Sequence, residues 1–193
     1  KIDKQLKKIR DEVLSCQKCP LYKTRNLPVI GQGNHQAEIM LCGEAPGAEE
    51  AKTGRPFCGA AGKILDELLA AARIKREKVY ITNILKDRPP SNRDPQKEEI
   101  AACAPYLERQ IKIIQPKIIS SLGNYATTYL LEKFDLADKI QGISKIHGQV
   151  FEAETDFGLI KIIPFYHPAV VVYNKNMLGL LKSDFNRLSD LCE

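Results

Sequence analysis

The sequence predicts an α/β protein in which parallel strands are flanked by helices. Three observations carry this expectation. Short apolar runs recur about every 40 residues, with helical periodicity between them. Each run leads into a turn rich in Gly, Pro or Asn. The spacing also leaves room for the crossover helix that a parallel pair requires.

Residues 1–15 place Ile2, Leu6, Ile9, Val13 and Leu14 at helical spacing, which predicts a helix delivering Cys16. Residues 16–36 are rich in Pro, Gly and Asn and read as loop. Ala37–Cys42 reads as a strand, followed at once by Gly43-Glu44-Ala45-Pro46-Gly47, a tight turn on its carboxyl end. Ala60–Ala72 reads as a helix and Val79–Ile84 as the second strand. Residues 87–95 form a proline-punctuated loop, and Gln96–Ile114 a helix capped by Asp94 with Pro95 in its first turn. Lys117–Ser121 is the third strand and Asn124–Lys133 a helix. Gln149–Glu154 and Gly158–Pro164 suggest a hairpin leading into Phe165-Tyr166-His167-Pro168, and Met177–Leu191 closes the chain as a helix.

Length and composition bound the class. The chain has 193 residues, 44% apolar and 27% charged. A chain of that size buries roughly 70% of its unfolded surface, so residues 1–193 are expected to form one domain without staples. Disorder, collagen and coiled coil are excluded by composition. No apolar run approaches the ~18–20 residues of a membrane span. The charged N-terminus has no signal-peptide core. The expectation is a soluble cytoplasmic protein with no membrane partner. Twenty-nine basic against 24 acidic residues give a net charge of +5, compatible with a phosphate-rich partner.

Six cysteines occur, at 16, 19, 42, 58, 103 and 192. Disulfides are rare in a reducing compartment. Cys42 lies in an apolar run and reads as core, and Cys58 as small filler. Cys16 and Cys19 form a C-x-x-C clip, a pattern shared by redox and zinc motifs, and a complete metal site needs two more ligands.

Three loops following strands are chemically loaded. The first runs from Gly43 to Glu50 and on to Gly54-Arg55-Pro56-Phe57. The second holds Asn83 and then Arg88-Pro89-Pro90-Ser91-Asn92-Arg93. The third is Tyr166-His167-Pro168-Ala169. Each has a plain structural reading when taken alone. In a parallel sheet, however, the carboxyl ends share one rim, so carboxylate, amide, aromatic and imidazole should converge.

Taken in order, Gly43-Glu44-Ala45-Pro46-Gly47, Gly54-Arg55-Pro56-Phe57, Arg88-Pro89-Pro90-Ser91-Asn92-Arg93 and His167-Pro168-Ala169 resemble the motifs of family 4 uracil-DNA glycosylases, the iron–sulfur members of their superfamily. The match runs from Cys16 to about Asn174. The resemblance implies a three-layer αβα sandwich around a short, mainly parallel four-stranded sheet. It implies a monomer acting on uracil-containing single- or double-stranded DNA by flipping the base and hydrolysing its N-glycosidic bond. Phe57 would stack on the ring. Asn83 would read the Watson–Crick edge, one amide offering a donor to O4 and an acceptor to N3–H. Glu50 would stand near C5 and exclude the thymine methyl. His167 would donate to O2 as charge develops, and Glu44 would position water. Studied relatives carry an aspartate beside Glu44, where this chain has Ala45. Backbone N–H groups of Gly47 and its neighbours Gly43 and Ala45 would bind O2, and Asn92 would join the substrate site.

The resemblance also implies a [4Fe–4S] cluster. Cys16, Cys19 and Cys103 match three of its four cysteines. The remaining position falls on Asp87, 16 residues before Cys103, so the register is kept and the ligand type changes. A cluster with Asp87 as ligand, a three-iron or labile cluster, an engineered change, and zinc with Cys3Asp all stay open. The rival functions are a glycosylase for hypoxanthine or another deaminated base, a non-catalytic uracil-DNA binding protein, and a Cys-metal redox protein.

Overall fold

The computed structural model describes residues 1–192. Its centre is one sheet of six strands: β1 (Gln32–Gly33), β2 (Ile39–Gly43), β3 (Tyr80–Asn83), β4 (Ile118–Leu122), β5 (Phe151–Thr155) and β6 (Gly158–Phe165). The spatial order is β1-β3-β2-β4-β6-β5. The pairs β3–β2, β2–β4 and β4–β6 are parallel, whereas β1 and β5 flank them antiparallel. The expected mainly parallel four-stranded sheet is therefore corrected to a mixed sheet of six. The two added strands lie at the edges. β1 has only two residues, too few to show a period, and β5 is the first arm of the hairpin read from the sequence.

Eight α-helices occur among the described residues: α1 (Ile2–Leu14), α2 (Ala48–Thr53), α3 (Ala60–Ala71), α4 (Lys97–Ile114), α5 (Asn124–Lys133), α6 (Ile143–Ile146), α7 (Ala169–Tyr173) and α8 (Leu178–Leu191). Strand alternation splits the core into two. Met40, Cys42, Ile119 and Ile162 face α1, α4 and α5 through Ile9, Leu107 and Leu130. Ile39, Leu41, Ile81 and Ile163 face α3, α7 and α8 through Leu68, Val171 and Phe185. Strands buried on both faces read as continuous apolar runs, which is why they are visible in the sequence. The short helices α2, α6 and α7 lack the length to show periodicity. None of the described helices is long and apolar enough to cross a membrane.

One boundary differs for a reason that bears on the site. The first residue before α4 is Gln96, not Asp94, and a reciprocal capping box joins Gln96 and Glu99. Glu99 is almost fully buried and also takes both terminal nitrogens of Arg93. Asp94 is thereby left outside the helix.

Candidate active site and thiol site

The parallel strands deliver their carboxyl ends to one rim. Register places Gly43 beside Asn83, and Leu122 beside Phe165. The loops beyond these ends enclose a cavity of about 470 Å³. Of the residues expected from sequence, Glu44, Ala45, Gly47, Glu50, Phe57, Asn83, Asn92 and His167 all line it. Gly43 lies behind them: a Cβ there would stand 2.4 Å from the Asn83 side-chain oxygen and 2.9 Å from the Phe57 ring. A bare backbone at 43 therefore lets Asn83 and Phe57 approach each other.

His167 follows β6 by two residues. Its Nδ1 accepts the backbone N–H of Ala169 at 3.0 Å, which puts the proton of the neutral ring on Nε2. Burial pushes its pKa down to about 4, so the ring is neutral at physiological pH. Its ring stacks on Phe57 with centroids 5.5 Å apart. Gly123 runs past this ring at φ +93, and a Cβ on it would stand 3.3 Å from the His167 Cβ. Both the backbone angle and the narrow gap favour glycine.

Asn83 is buried, and its side-chain oxygen has no hydrogen-bond partner among the described residues. Buried polar atoms are nearly always paired. An unpartnered acceptor lining a cavity is able to take an N–H from a ligand.

Glu50 has a role that the sequence did not disclose. Its Oε1 accepts the backbone N–H groups of Cys58 (3.0 Å) and Gly59 (3.1 Å). It thus anchors the loop carrying Phe57, which is held in the left-handed region at φ 47. Asp94 was also missed, because Asp-Pro before a helix reads as a cap. Asp94 lines the same cavity as Glu44. Burial pushes the Glu44 carboxyl up, and the negative field of Asp94 adds to the shift. Val172 and the strongly exposed Tyr173 stand at the mouth. Asn92 and Ser91 both take φ 54, and Asn92 accepts from Arg88 Nε at 2.8 Å.

The second constellation lies behind the rim. Cys16, Cys19, Asp87 and Cys103 line one small cavity with Arg25 and Tyr106. Cys103 Sγ accepts the backbone N–H of Lys86 at 3.1 Å. Burial pushes the Cys103 thiol up to about 11 and raises that of Cys19. Among the described residues no three His, Cys, Asp or Glu side chains approach closely enough to hold a single metal ion. Asp87 is engaged elsewhere: its two oxygens accept from Arg25 at 2.7 and 2.6 Å. Arg25 also donates to the carbonyls of Leu14 and Cys16, so this pair ties the end of α1 to the segment after β3. The three thiols suit soft iron–sulfur chemistry, whereas the carboxylate at the fourth position is satisfied by a guanidinium.

These features agree with what the chain resembles among known proteins. The family model described as the uracil DNA glycosylase superfamily matches residues 30–188. A type-4 uracil-DNA glycosylase of Sulfurisphaera tokodaii is 46% identical over 187 residues, covering 96% of this chain and 84% of the relative. One from Archaeoglobus fulgidus is 46% identical over 94% of this chain and 90% of its own. One from Thermotoga maritima is 42% identical over 87% and 83% respectively. With the family match spanning all six strands and all three loops of the rim, the chain belongs to the uracil DNA glycosylase superfamily.

Proposed function

We propose that this protein excises uracil from DNA, with residues 1–193 acting as one glycosylase domain. The observation that carries the reading is the pairing of two groups on one cavity: the orphan Asn83 oxygen and the Nε2–H of a neutral His167. A flipped uracil presents an N3–H and a carbonyl O2 to such a pair.

The C1′–N1 bond breaks in the reaction, water adds its oxygen to C1′, and uracil leaves as an anion that then takes a proton. Asn83 holds the Watson–Crick edge, and Phe57 supplies the apolar platform. His167 donates from Nε2 to O2, a bond that strengthens as negative charge reaches the base. Glu44, with its proton affinity raised by burial and by Asp94, accepts a hydrogen bond from the attacking water and favours the positive sugar. Glu50 keeps the Phe57 loop in place and closes the side on which a thymine methyl would project. An adjoining groove of about 220 Å³, lined by Lys52 and Arg88 and sharing Pro89 with the main cavity, suits the phosphates on one flank of the base.

An oligonucleotide with one deoxyuridine tests the reading. Incubation followed by alkali should cleave the strand at the uracil. Parallel strands carrying thymine or hypoxanthine should stay intact. Failure to cleave the uracil strand would remove the proposal, and equal cleavage at hypoxanthine would widen it to deaminated bases.

Cys16, Cys19 and Cys103 would hold the iron–sulfur centre, which would reinforce the tie between α1 and the 86–103 segment. Asp87 would serve as its fourth ligand only by leaving Arg25. A centre so held should be air-sensitive. Asp87→Cys should slow its bleaching with little change in excision rate. Cys103→Ala should lose iron and colour. Iron and sulfide content and the bleaching half-life of the three proteins check this. Stoichiometric zinc without sulfide, or no slower bleaching in Asp87→Cys, would overturn it.

A further inference from the structure

Lys86 is 1% exposed, and among the described residues its ammonium bonds only to uncharged oxygens. Its Nζ donates to Thr82 Oγ1 at 2.6 Å, to the backbone carbonyl of Asn83 at 2.8 Å and to Gln110 Oε1 at 2.8 Å. An ammonium has three N–H donors, and all three are used. Gln110 in turn donates to the Ile30 carbonyl and to the Tyr80 hydroxyl, and Thr82 donates to Ile30. The reason for this network is the shortness of β1. β1 pairs with β3 only at Tyr80 and Ile81. Beyond that point β3 has no strand on its outer side, and Asn83 ends it. The Asn83 carbonyl falls in the gap beyond β1, where the Lys86 ammonium meets it, while Thr82 and Gln110 meet the Ile30 carbonyl.

A buried charge is a costly way to fill such a gap, and an apolar side chain of similar length would avoid that desolvation. What an apolar side chain cannot do is grip the Asn83 carbonyl. That grip bears on the cavity, because no hydrogen bond from the described residues holds the Asn83 side-chain oxygen, which is placed by its own backbone and by packing over Gly43. Lys86 is itself fixed at its other end, where its backbone N–H donates to Cys103 Sγ. Lys86 thus spans the distance between the thiol site and the base-reading amide.

We propose that Lys86 is a positioning residue for base recognition, its ammonium fixing the Asn83 carbonyl and through it the aim of the Asn83 amide into the cavity. The inference rests on the reading of Asn83 given above.

A double-mutant cycle tests it. Single-turnover excision of uracil is measured for wild type, Lys86→Met, Asn83→Ala and the double variant, with inhibition by free uracil and affinity for abasic-site DNA read alongside. Lys86→Met should slow excision at least tenfold and weaken inhibition by uracil, while abasic-site affinity stays within twofold. In the Asn83→Ala background the same substitution should slow excision less than twofold, since the amide it positions is gone. Lys86→Gln, which keeps an N–H donor, should recover part of the rate. It also serves in the cycle should circular dichroism show that Lys86→Met does not fold. Equal slowing by the Lys86 substitution in both backgrounds would overturn the inference and leave the pocket reading standing. No effect of Asn83→Ala on its own would overturn the pocket reading, and this inference with it.

Discussion

His167→Ala should lower the single-turnover rate of uracil excision by about 10²- to 10³-fold, the usual loss when one preorganised donor to a developing oxyanion is removed. Affinity for uracil-containing DNA should change far less, because a neutral O2 in the ground state gains little from the same donor. The cause is geometric. Ala169 N–H occupies Nδ1, so the single proton of the neutral ring is committed to Nε2. The sign of the pH dependence follows. Burial holds the pKa at about 4, below the ordinary histidine value, so the ring has already lost its second proton at neutrality. The wild-type rate should therefore show no histidine inflection near neutral pH. A rate for His167→Ala within twofold of wild type would remove the assigned role. An inflection near pH ~6.5 that vanishes in the variant would replace the neutral donor with a cationic one.

Asn83→Asp should slow uracil excision by about 5- to 150-fold, corresponding to the ~1–3 kcal/mol lost when a buried complementary hydrogen bond is broken. The amide donor to O4 becomes an acceptor, so two oxygens face each other. Cytosine presents an N4–H2 donor there, and the variant should begin to release it. The buried position adds a pH signature. A carboxyl in that environment takes up its proton more readily than one in water, so lowering the pH restores an O–H donor and part of the uracil rate. Rates on uracil and cytosine substrates across acid and neutral pH check both points. Unchanged uracil kinetics at neutral pH would mean that Asn83 does not touch the base.

Strands β2 to β6 and the longer helices of this protein were determined by sequence alone, because burial of the sheet leaves apolar runs and the longer helices show their period. The three rim loops were equally legible, since their Gly, Pro, Asn and His residues interrupt those runs at the strand ends. β1, α2, α6 and α7 were not, because segments of two to six residues carry no measurable period. Side-chain partners were decided only in three dimensions. Asp87 keeps the spacing of a fourth ligand, yet its oxygens go to Arg25, 62 positions away in the chain. Asp94 reads as a helix cap, yet Gln96 and Glu99 cap the helix and leave Asp94 to the cavity. Glu50 reads as a wall for the base, yet its oxygen first anchors the loop of Phe57. The physical reason is common to all three. Hydrophobic period is a local property of a segment, whereas the partner of a carboxylate is whichever donor the packed fold brings within hydrogen-bond distance.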